Sequence, residues 1–354
     1  MRWRNKQLMF GVDELGMDLG TSTMHIVVKG KGIVLSEPAY VAYHRKTREV
    51  IEVGEAARRM YGRTPADLMV ERPLREGRIR SFDLVSKMLR YSIRKVVGKR
   101  AAFRPRMTLA LPCGMAPSER QTLVDVLVDA GVRSVIPVDE NVASAIGGGV
   151  RIDQPYGRMN IDMGGGRTNV SVFSMGHQIV WDILTVGGDK FDDAIIDFMR
   201  KKHNLLIGAH TAEDLKINIG SARMRGAKLE MDACGRSLVS GLPRAVTVNS
   251  QEMIEALDEP IRELGNALHR MIERTPPELA SDVFDEGITL SGGGAQLFGL
   301  DEVLSDYLKI PVRLADEPEL CVAHGLGALI DEPDRYENID FTSGSRSDDM
   351  RFDG

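Results

Sequence analysis

Cysteine is scarce in this chain and its few copies are scattered. Of the 354 residues only three are cysteines, Cys113, Cys234 and Cys321, and no two of them have disulfide or metal-ligand spacing. This excludes a disulfide framework and a cysteine-based zinc site, and it favours a reduced, cytosolic protein. Because each cysteine has apolar or glycine-rich neighbours, we expect all three to be buried and unreactive.

Long apolar runs and an excess of basic charge are also missing. No segment approaches the roughly 18 apolar residues that cross a bilayer. The formal net charge is -5 with a pI near 5.9, which argues against nucleic acid as a partner. The first ten residues lack a signal peptide's apolar core and cleavage site. In a helix, however, Trp3 and Phe10 would share a face beside three basic residues. Residues 1–14 are therefore either a weak membrane anchor or a frayed terminus.

Strand-like apolar runs alternate with helical periodicity, which predicts an α/β fold. Apolar residues recur at helical spacing from Phe82 to Val97. Asn249 and Glu252 form a capping-box pattern that opens a helix, and Pro260 should bend that helix or mark a junction. The polar stretch from Asp331 to Gly354 predicts a mobile tail.

One segment is echoed within the chain. MDLGTSTMHIVVKGKG begins at Met17, and IDMGGGRTNVSVFSMG begins at Ile161. Each places an apolar residue before an aspartate, a glycine two positions later, and another glycine fourteen residues beyond the aspartate, where a hairpin should turn. Two copies of one strand–turn–strand unit indicate a duplicated domain with a ligand between its halves.

The repeated turns have the composition of phosphate-binding loops. Glycines let backbone N–H groups approach phosphate oxygens, and hydroxyl groups add donors. The predicted phosphate-binding residues are Gly20, Thr21, Ser22 and Thr23 in the first turn and Gly164, Gly165 and Gly166 in the second. Asp18 and Asp162, one at the end of each first strand, suit a hydrated Mg²⁺ that accompanies nucleotide phosphates. Either turn alone would be read as an ordinary tight hairpin.

A third glycine cluster, Gly292–Gly294, follows an apolar strand and could bring backbone against a nucleotide. The sequence contains neither a Walker P-loop nor a G-x-G-x-x-G motif that opens a βαβ unit. P-loop and Rossmann folds are therefore poor descriptions of this chain.

Several further stretches resemble the MreB family, within the superfamily of actin, sugar kinases and heat-shock ATPases. The resemblance extends from about Leu15 to Leu329. Its motifs are KGKGIVLSEP, GRTP, RPLREG, VGGDKFDDAII, TAEDLKINIGSA, EALDEPI, LSGGGAQLFGLD and VAHGLGAL.

The resemblance implies an actin-like ATPase fold. It has two ribonuclease-H-like subdomains with a nucleotide cleft between them and two smaller inserted subdomains. Domain I would span residues 15–149, with an insertion at about 39–80, and would be completed by residues 321–335. Domain II would span residues 150–320, with an insertion at about 189–250, and residues 336–354 would form a flexible acidic tail.

The resemblance also implies roles for particular residues. ATP and Mg²⁺ would be the cofactors, with Asp18 and Asp162 acting on the metal through water. Glu213, Asp214, Leu215 and Lys216 would lie near the ribose and base, although by themselves Glu213 and Lys216 are only a solvated i,i+3 pair. Gly292, Gly293, Gly294 and Ala295 would lie along the nucleoside.

Glu140, in VDENVASAIGGG, would orient the attacking water, with Asp162 as a second catalytic carboxylate. Without the resemblance, Glu140 is a carboxylate at a helix start.

The sequence departs from the family pattern at the catalytic turns. Arg167-Thr168-Asn169 stands where the family has Thr-Thr-Glu, and Asn141 replaces the proline after Glu140. Thr23 and Met24 replace an Asn-Thr pair. A guanidinium can bind phosphate with two hydrogen bonds but offers no lone pair to a water molecule. We hypothesise that Arg167 stabilises bound ATP or product phosphate and slows turnover.

The resemblance predicts a filament-forming cytoskeletal ATPase with slow hydrolysis, at the inner face of the cell membrane. Its partners would be further copies of itself in paired protofilaments, the cell-wall elongation machinery, and the membrane through Trp3, Phe10 and Phe103. Three alternatives stay open: a hydrolysis-impaired regulatory paralogue, a sugar-kinase-type phosphotransferase, and a heat-shock-type chaperone. The last lacks support because no long peptide-binding region follows the final helix.

Overall fold

The computed structural model describes residues 14–75, 78–98 and 104–341. Its contacts divide the chain into two compact units, Met1–Gly149 with Leu320–Gly354, and Val150–Glu319. The membrane candidates Trp3, Phe10 and Phe103 lie outside the described residues. Among the described helices, none combines the length and the apolar character needed to span a membrane.

The first unit alternates strands and helices and is completed by a helix from the end of the chain. Its strands are β1 Glu14–Leu19, β2 Thr23–Val28, β3 Gly32–Pro38, β4 Val41–His44, β5 Val50–Val53, β6 Leu68–Glu71, β7 Leu74–Arg75, β8 Arg78–Ile79, β9 Arg106–Leu111 and β10 Ser134–Asp139. Its helices are α1 Glu55–Met60, α2 Phe82–Val97, α3 Pro117–Asp129, α4 Glu140–Gly147 and α10 Cys321–Asp331.

A five-stranded sheet forms the centre of this unit, in the order β10-β9-β1-β2-β3. Strands β1, β9 and β10 are parallel, whereas β1–β2 and β2–β3 are antiparallel hairpin pairs. Alternate residues such as Leu15 and Met17 enter a core shared with α2 and α3. On the other face, Val27 packs against Ala323 and Ile330 of α10.

The second unit contains strands and helices of the same kind. Its strands are β11 Arg158–Met163, β12 Thr168–Ser174, β13 His177–Leu184, β14 Leu205–Leu206, β15 Glu230–Ser237, β16 Pro243–Asn249, β17 Ile288–Ser291 and β18 Val312–Leu314. Its helices are α5 Gly188–His203, α6 Ala209–Ile219, α7 Ser250–Arg274, α8 Pro277–Glu286 and α9 Leu300–Leu308.

The main sheet of the second unit repeats the topology of the first. Its order is β13-β12-β11-β17-β18, with β11–β12 and β12–β13 antiparallel and β11–β17–β18 parallel. Gly32 and Gly176 lie at the matching hairpin turns with φ of 69° and 80°. The internal duplication inferred from the sequence is therefore confirmed at the level of strand order and direction.

Small sheets lie within the two spans that the resemblance treats as insertions. In the first unit these are the sheet β5-β4-β6 and the hairpin β7-β8. In the second unit it is the sheet β14-β15-β16, with α5 and α6 nearby in sequence.

Two predicted helices form as expected. Helix α2 covers Phe82–Val97, and α7 opens with a complete Asn249–Glu252 capping box. The expectation of a junction at Pro260 is wrong, because α7 continues through it to Arg274. The apolar stripe on both sides of Pro260 is buried in one core, and this packing outweighs the loss of one backbone hydrogen bond.

Two other expectations are wrong, the first of them in part. Asp331 ends α10, Ile339 is buried, and the Phe341 carbonyl accepts a hydrogen bond from the Asp139 amide at 2.8 Å, so the predicted mobile tail is held at these two residues; residues 342–354 lie outside the described residues. Cys234 is exposed, because β15 alternates and its neighbour Ala233 takes the core side.

Candidate functional site

The first repeated turn, Gly20–Ser22, joins β1 to β2. A side chain at Gly20 would place its Cβ 2.5 Å from the Thr23 carbonyl oxygen, so this position requires glycine. The Ser22 carbonyl accepts a hydrogen bond from the Ala39 amide at 2.9 Å. The Ser22 hydroxyl accepts a hydrogen bond from Arg72 Nη1 at 3.3 Å. The sequence did not single out Arg72 individually, although it lies in the quoted motif RPLREG.

Glu140 lies at the same edge of the first sheet as this turn. Strands β1, β9 and β10 are parallel, so their carboxyl ends share one edge. Glu140 is half-buried and is the first residue of α4, directly after β10. The preceding Asp139 is buried and lies 3.8 Å from Arg120 Nη2. The fold of this unit thus brings the predicted water-orienting carboxylate to the edge that carries the Gly20–Ser22 turn.

Two buried polar side chains lie on elements adjoining this edge. His25 is paired with Asp18 across β1–β2 and is 4% exposed. Burial, assisted by the charge of His324, lowers the pKa of His25 to about 4. Within the described residues, neither His25 Nδ1 nor either amide atom of the buried Asn141 has a hydrogen-bond partner.

The second turn, Gly164–Gly166, joins β11 to β12 and packs on the start of α5. The Gly164 carbonyl accepts from the Gly188 amide at 3.0 Å, and the Gly165 carbonyl accepts from the Asp189 amide at 2.7 Å. A Cβ on Gly187 would lie 2.8 and 2.9 Å from the Gly165 and Gly164 carbonyl oxygens and 2.7 Å from the Arg167 nitrogen. The sequence carries a signal for this support, the VGGD of the motif VGGDKFDDAII, but its spacing alone does not connect it to the turn.

The third glycine cluster joins the second turn. Strand β17 is parallel to β11 and adjacent to it, and Ser291 is opposite Asp162. Gly292 has φ of 87°, and a Cβ there would lie 2.4 Å from the Met163 carbonyl oxygen and 2.6 Å from Asp162 Oδ1. Asp162 is buried. The structure therefore brings Asp162, Gly164–Gly166 and Gly292–Gly294 to one edge of the second sheet.

Arg167 follows the second turn and is only 8% exposed. Its carbonyl accepts a hydrogen bond from the Gly164 amide at 2.9 Å, which closes the turn. The next residue, Thr168, donates from its hydroxyl to the Val186 carbonyl at 2.6 Å.

Helix α6 holds the residues predicted near ribose and base. Lys216 donates to Asp192 Oδ2 at 2.9 Å and to the Gly188 carbonyl at 3.0 Å, so it is not the solvated partner of Glu213 that its spacing suggests. Leu215 is fully buried in the core, and Asp214 is exposed. Burial raises the pKa of the Asp192 carboxyl to about 6, against the opposing effect of Lys216. Sequence reasoning missed Asp192, because it lies 24 residues from its partner.

The donor set bears on which metal could bind. In the described ranges, no group of three or more His, Cys, Asp or Glu side chains could hold a metal. Asp18 and Asp162 are single carboxylates, one in each unit. Each by itself fits Mg²⁺, which takes one or two carboxylates together with substrate phosphates and water, and neither fits a metal held by protein alone.

Comparison with known proteins identifies the family. The family described as MreB/Mbl protein matches residues 12–338. The chain belongs to the MreB/Mbl family. It is 42% identical over 327 residues to the cell shape-determining protein Mbl of Bacillus subtilis, covering 92% of this chain and 98% of that one. It is 39% identical over 330 residues to the cell shape-determining protein MreB of Escherichia coli, covering 92% and 95%.

Among solved structures, MreB5 of Spiroplasma citri has been determined bound to ADP and bound to AMPPNP. The ADP-bound structure matches with a TM-score of 0.87 and 33% identity, covering 92% of this chain and 97% of that one. Both the resemblance to MreB and the actin-like fold predicted from it are confirmed.

Proposed function

We propose that this MreB/Mbl-family chain binds ATP with Mg²⁺ and polymerises into filaments that organise cell shape. The observation that carries the proposal is the duplicated turn. Gly20–Ser22 and Gly164–Gly166 occupy the same position, after the first strand, in two sheets of equal topology. The nucleotide-bound structures of MreB5 and the names of the Mbl and MreB relatives support it.

Each group has a task that suits its chemistry. The backbone amides of both turns bind phosphate oxygens, with the Thr21 and Ser22 hydroxyls as further donors. Asp18 and Asp162 are the carboxylates that would hold a hydrated Mg²⁺, and the ion would supply positive charge to neutralise the phosphates. Glu140 accepts a hydrogen bond from the attacking water and aligns it, since positioning and electrostatics provide most of phosphoryl-transfer catalysis.

Pelleting with negative-stain microscopy, in ATP and without nucleotide, tests the proposal. Calorimetry on the same samples measures nucleotide affinity. We expect Mg²⁺-dependent ATP binding and ATP-dependent filaments, both lost in Asp162→Asn. Asp197→Asn is the matched control, because this exposed aspartate on α5 forms an ion pair with Arg200 of the next turn and has no place in the proposed site. Absence of Mg²⁺-dependent ATP binding by the native protein would refute the proposal.

The buried Arg167 favours a second candidate, a member of the family that binds ATP and hydrolyses it poorly. The guanidinium has hydrogen-bond donors that suit phosphate, whereas the threonine of the family pattern has a hydroxyl that can accept a hydrogen bond from water. We expect phosphate release to be faster in Arg167→Thr than in the native protein. Equal or faster release by the native protein would remove this candidate.

A position at the inner face of the membrane, beside the cell-wall elongation machinery, belongs to the same proposal. Its support is the apolar–basic character of the sequence around Trp3, Phe10 and Phe103. Co-sedimentation with anionic liposomes should weaken when residues 1–10 are removed and Phe103→Ala is added. Unchanged co-sedimentation would contradict the membrane part alone.

A further inference from the structure

The guanidinium of Arg72 contacts the first phosphate turn through the hydroxyl of Ser22. We propose that Arg72 is a positioning residue, which orients the Ser22 hydroxyl so that its single hydrogen is directed to a phosphate oxygen. The inference rests on the proposed nucleotide-binding function. It adds to that function a residue outside the turns that acts on phosphate binding through another side chain.

The small sheet β5-β4-β6 brings Arg72 to the turn. The Ser22 carbonyl accepts a hydrogen bond from the Ala39 amide at 2.9 Å, which holds the segment leading into this sheet against the turn. Two residues later β4 begins at Val41, whose partner across the β4–β6 pair is Glu71. Arg72 directly follows Glu71, so the register of β4 with β6 sets the position of the arginine beside Ser22.

The backbone from which Arg72 extends is held in place. Pro73 and Leu74, the next two residues, are buried. The Pro73 carbonyl accepts a hydrogen bond from the Arg80 amide at 2.8 Å. From this fixed point Arg72 Nη1 donates to Ser22 Oγ at 3.3 Å, and both side chains are half-buried. The contact is therefore partly shielded from competing water.

The polarity of this hydrogen bond decides what the serine can still do. A serine hydroxyl has one hydrogen to donate and two lone pairs that accept, whereas a guanidinium has only donors. The bond from Arg72 thus occupies a lone pair of Ser22 Oγ and leaves the hydrogen for another acceptor. Within the described residues, the Ser22 hydroxyl donates to no protein atom.

The arginine also makes the hydroxyl a better donor. Hydrogen bonds in series polarise one another, so a cation on the acceptor side of Oγ strengthens the O–H of Ser22. The bond to Nη1 restricts the rotation of the hydroxyl, which would otherwise have to be fixed when a ligand binds. A polarised, oriented O–H group in a glycine-containing turn suits an anionic oxygen such as that of phosphate.

A double-mutant cycle on the full chain tests whether Arg72 acts through Ser22. Calorimetry with Mg²⁺–ATP and with Mg²⁺–triphosphate is applied to the native protein, Arg72→Met, Ser22→Ala and the double variant. We expect each single variant to lose about tenfold in affinity for both ligands, because a hydrogen bond to a charged oxygen is weakened or removed. In the Ser22→Ala background, Arg72→Met should change neither affinity by more than about twofold.

Two further variants separate this role from the loss of a charge and from a general disturbance of the turn. Arg75→Met removes the same charge three residues later, from an exposed side chain at the end of β7, and should bind both ligands as the native protein does. Ser22→Thr keeps a hydroxyl in the turn, and it should retain native affinity together with the tenfold effect of Arg72→Met. Urea unfolding of every variant verifies that it is folded.

Three results would overturn the inference. An equal loss from Arg72→Met with and without the Ser22 hydroxyl would make the arginine a phosphate ligand in its own right. Native affinities in a folded Arg72→Met variant would make the contact a structural tether alone. A folded Ser22→Thr variant as weak as Ser22→Ala would show that the hydroxyl is not the group that matters. A native protein that binds neither ligand would refute the proposed function itself, and this inference with it.

Discussion

The buried His25 predicts a specific dependence of stability on pH. Its pKa falls from 6.5 to about 4 on folding. At pH values between 4 and 6.5 the unfolded chain carries a proton on His25 that the folded chain does not. The free energy of unfolding therefore decreases as pH falls from 6.5 toward 4. With about 1.4 kcal/mol for each pKa unit, the full effect is about 3 kcal/mol, of which about 2 kcal/mol is lost by pH 5.

Asp192 has the opposite effect in the same pH range. Its pKa rises from 3.8 to about 6, so the folded chain binds the extra proton and stability rises as pH falls through 6. The two effects offset each other in the native protein, and a pH profile of that protein alone would hide both. Comparison with His25→Leu isolates the histidine.

Urea unfolding of the native protein and His25→Leu at several pH values from 5 to 8 measures the effect. We expect the native protein to lose about 2 kcal/mol relative to the variant between pH 7 and pH 5. The control is His269→Gln, which changes a histidine that is 61% exposed. NMR titration of the His25 ring should show no protonation above pH 5. Parallel stability profiles, or a ring that titrates near 6.5, would refute the reasoning.

Two further predictions concern the second unit. Gly292→Ala should abolish measurable ATP binding in calorimetry. A Cβ there would lie 2.6 Å from Asp162 Oδ1 and would force this carboxylate and the Met163 carbonyl to move. Native ATP affinity in a folded variant would contradict this prediction. Asn249→Ala should lower the urea-measured stability by about 1 kcal/mol, because the capping box of α7 is lost. Its ATP affinity should not change, and a weakened affinity would show that the cap also supports the site.

The structure explains why the phosphate-binding turns could be predicted, whereas the contacts that hold the second turn against the start of α5 could not. Aspartate and glycine at fixed spacing are local features, and the echo between Met17 and Ile161 made them visible. The contact of Gly164 with Gly188 joins residues with no shared local pattern. The i,i+3 spacing of Glu213 and Lys216 predicts a solvated pair. That prediction is wrong for Lys216, because the fold places Asp192 beside the lysine.

The errors in the fold have a similar origin. Pro260 predicts a bend or a junction because proline lacks an N–H, but the core that buries α7 on both sides of Pro260 and keeps the helix continuous is a property of the whole unit. A polar segment predicts mobility, but Phe341 accepts a hydrogen bond from Asp139, which is two hundred and two residues earlier. Cys234 is exposed because it lies on the face of β15 opposite to Ala233, which is the buried neighbour, and only the fold decides which face of that strand meets the core.

By itself, the sequence determined the α/β class, the duplication and the positions of the glycine turns, because these depend on composition, periodicity and short-range spacing. The family came from the resemblance of its motifs to those of MreB. Only the tertiary structure decided which donors orient those turns, which carboxylate neutralises Lys216, and which histidine is kept uncharged. These depend on distances between residues far apart in the chain and on exclusion of water, and both are set only when each unit has folded around its own core.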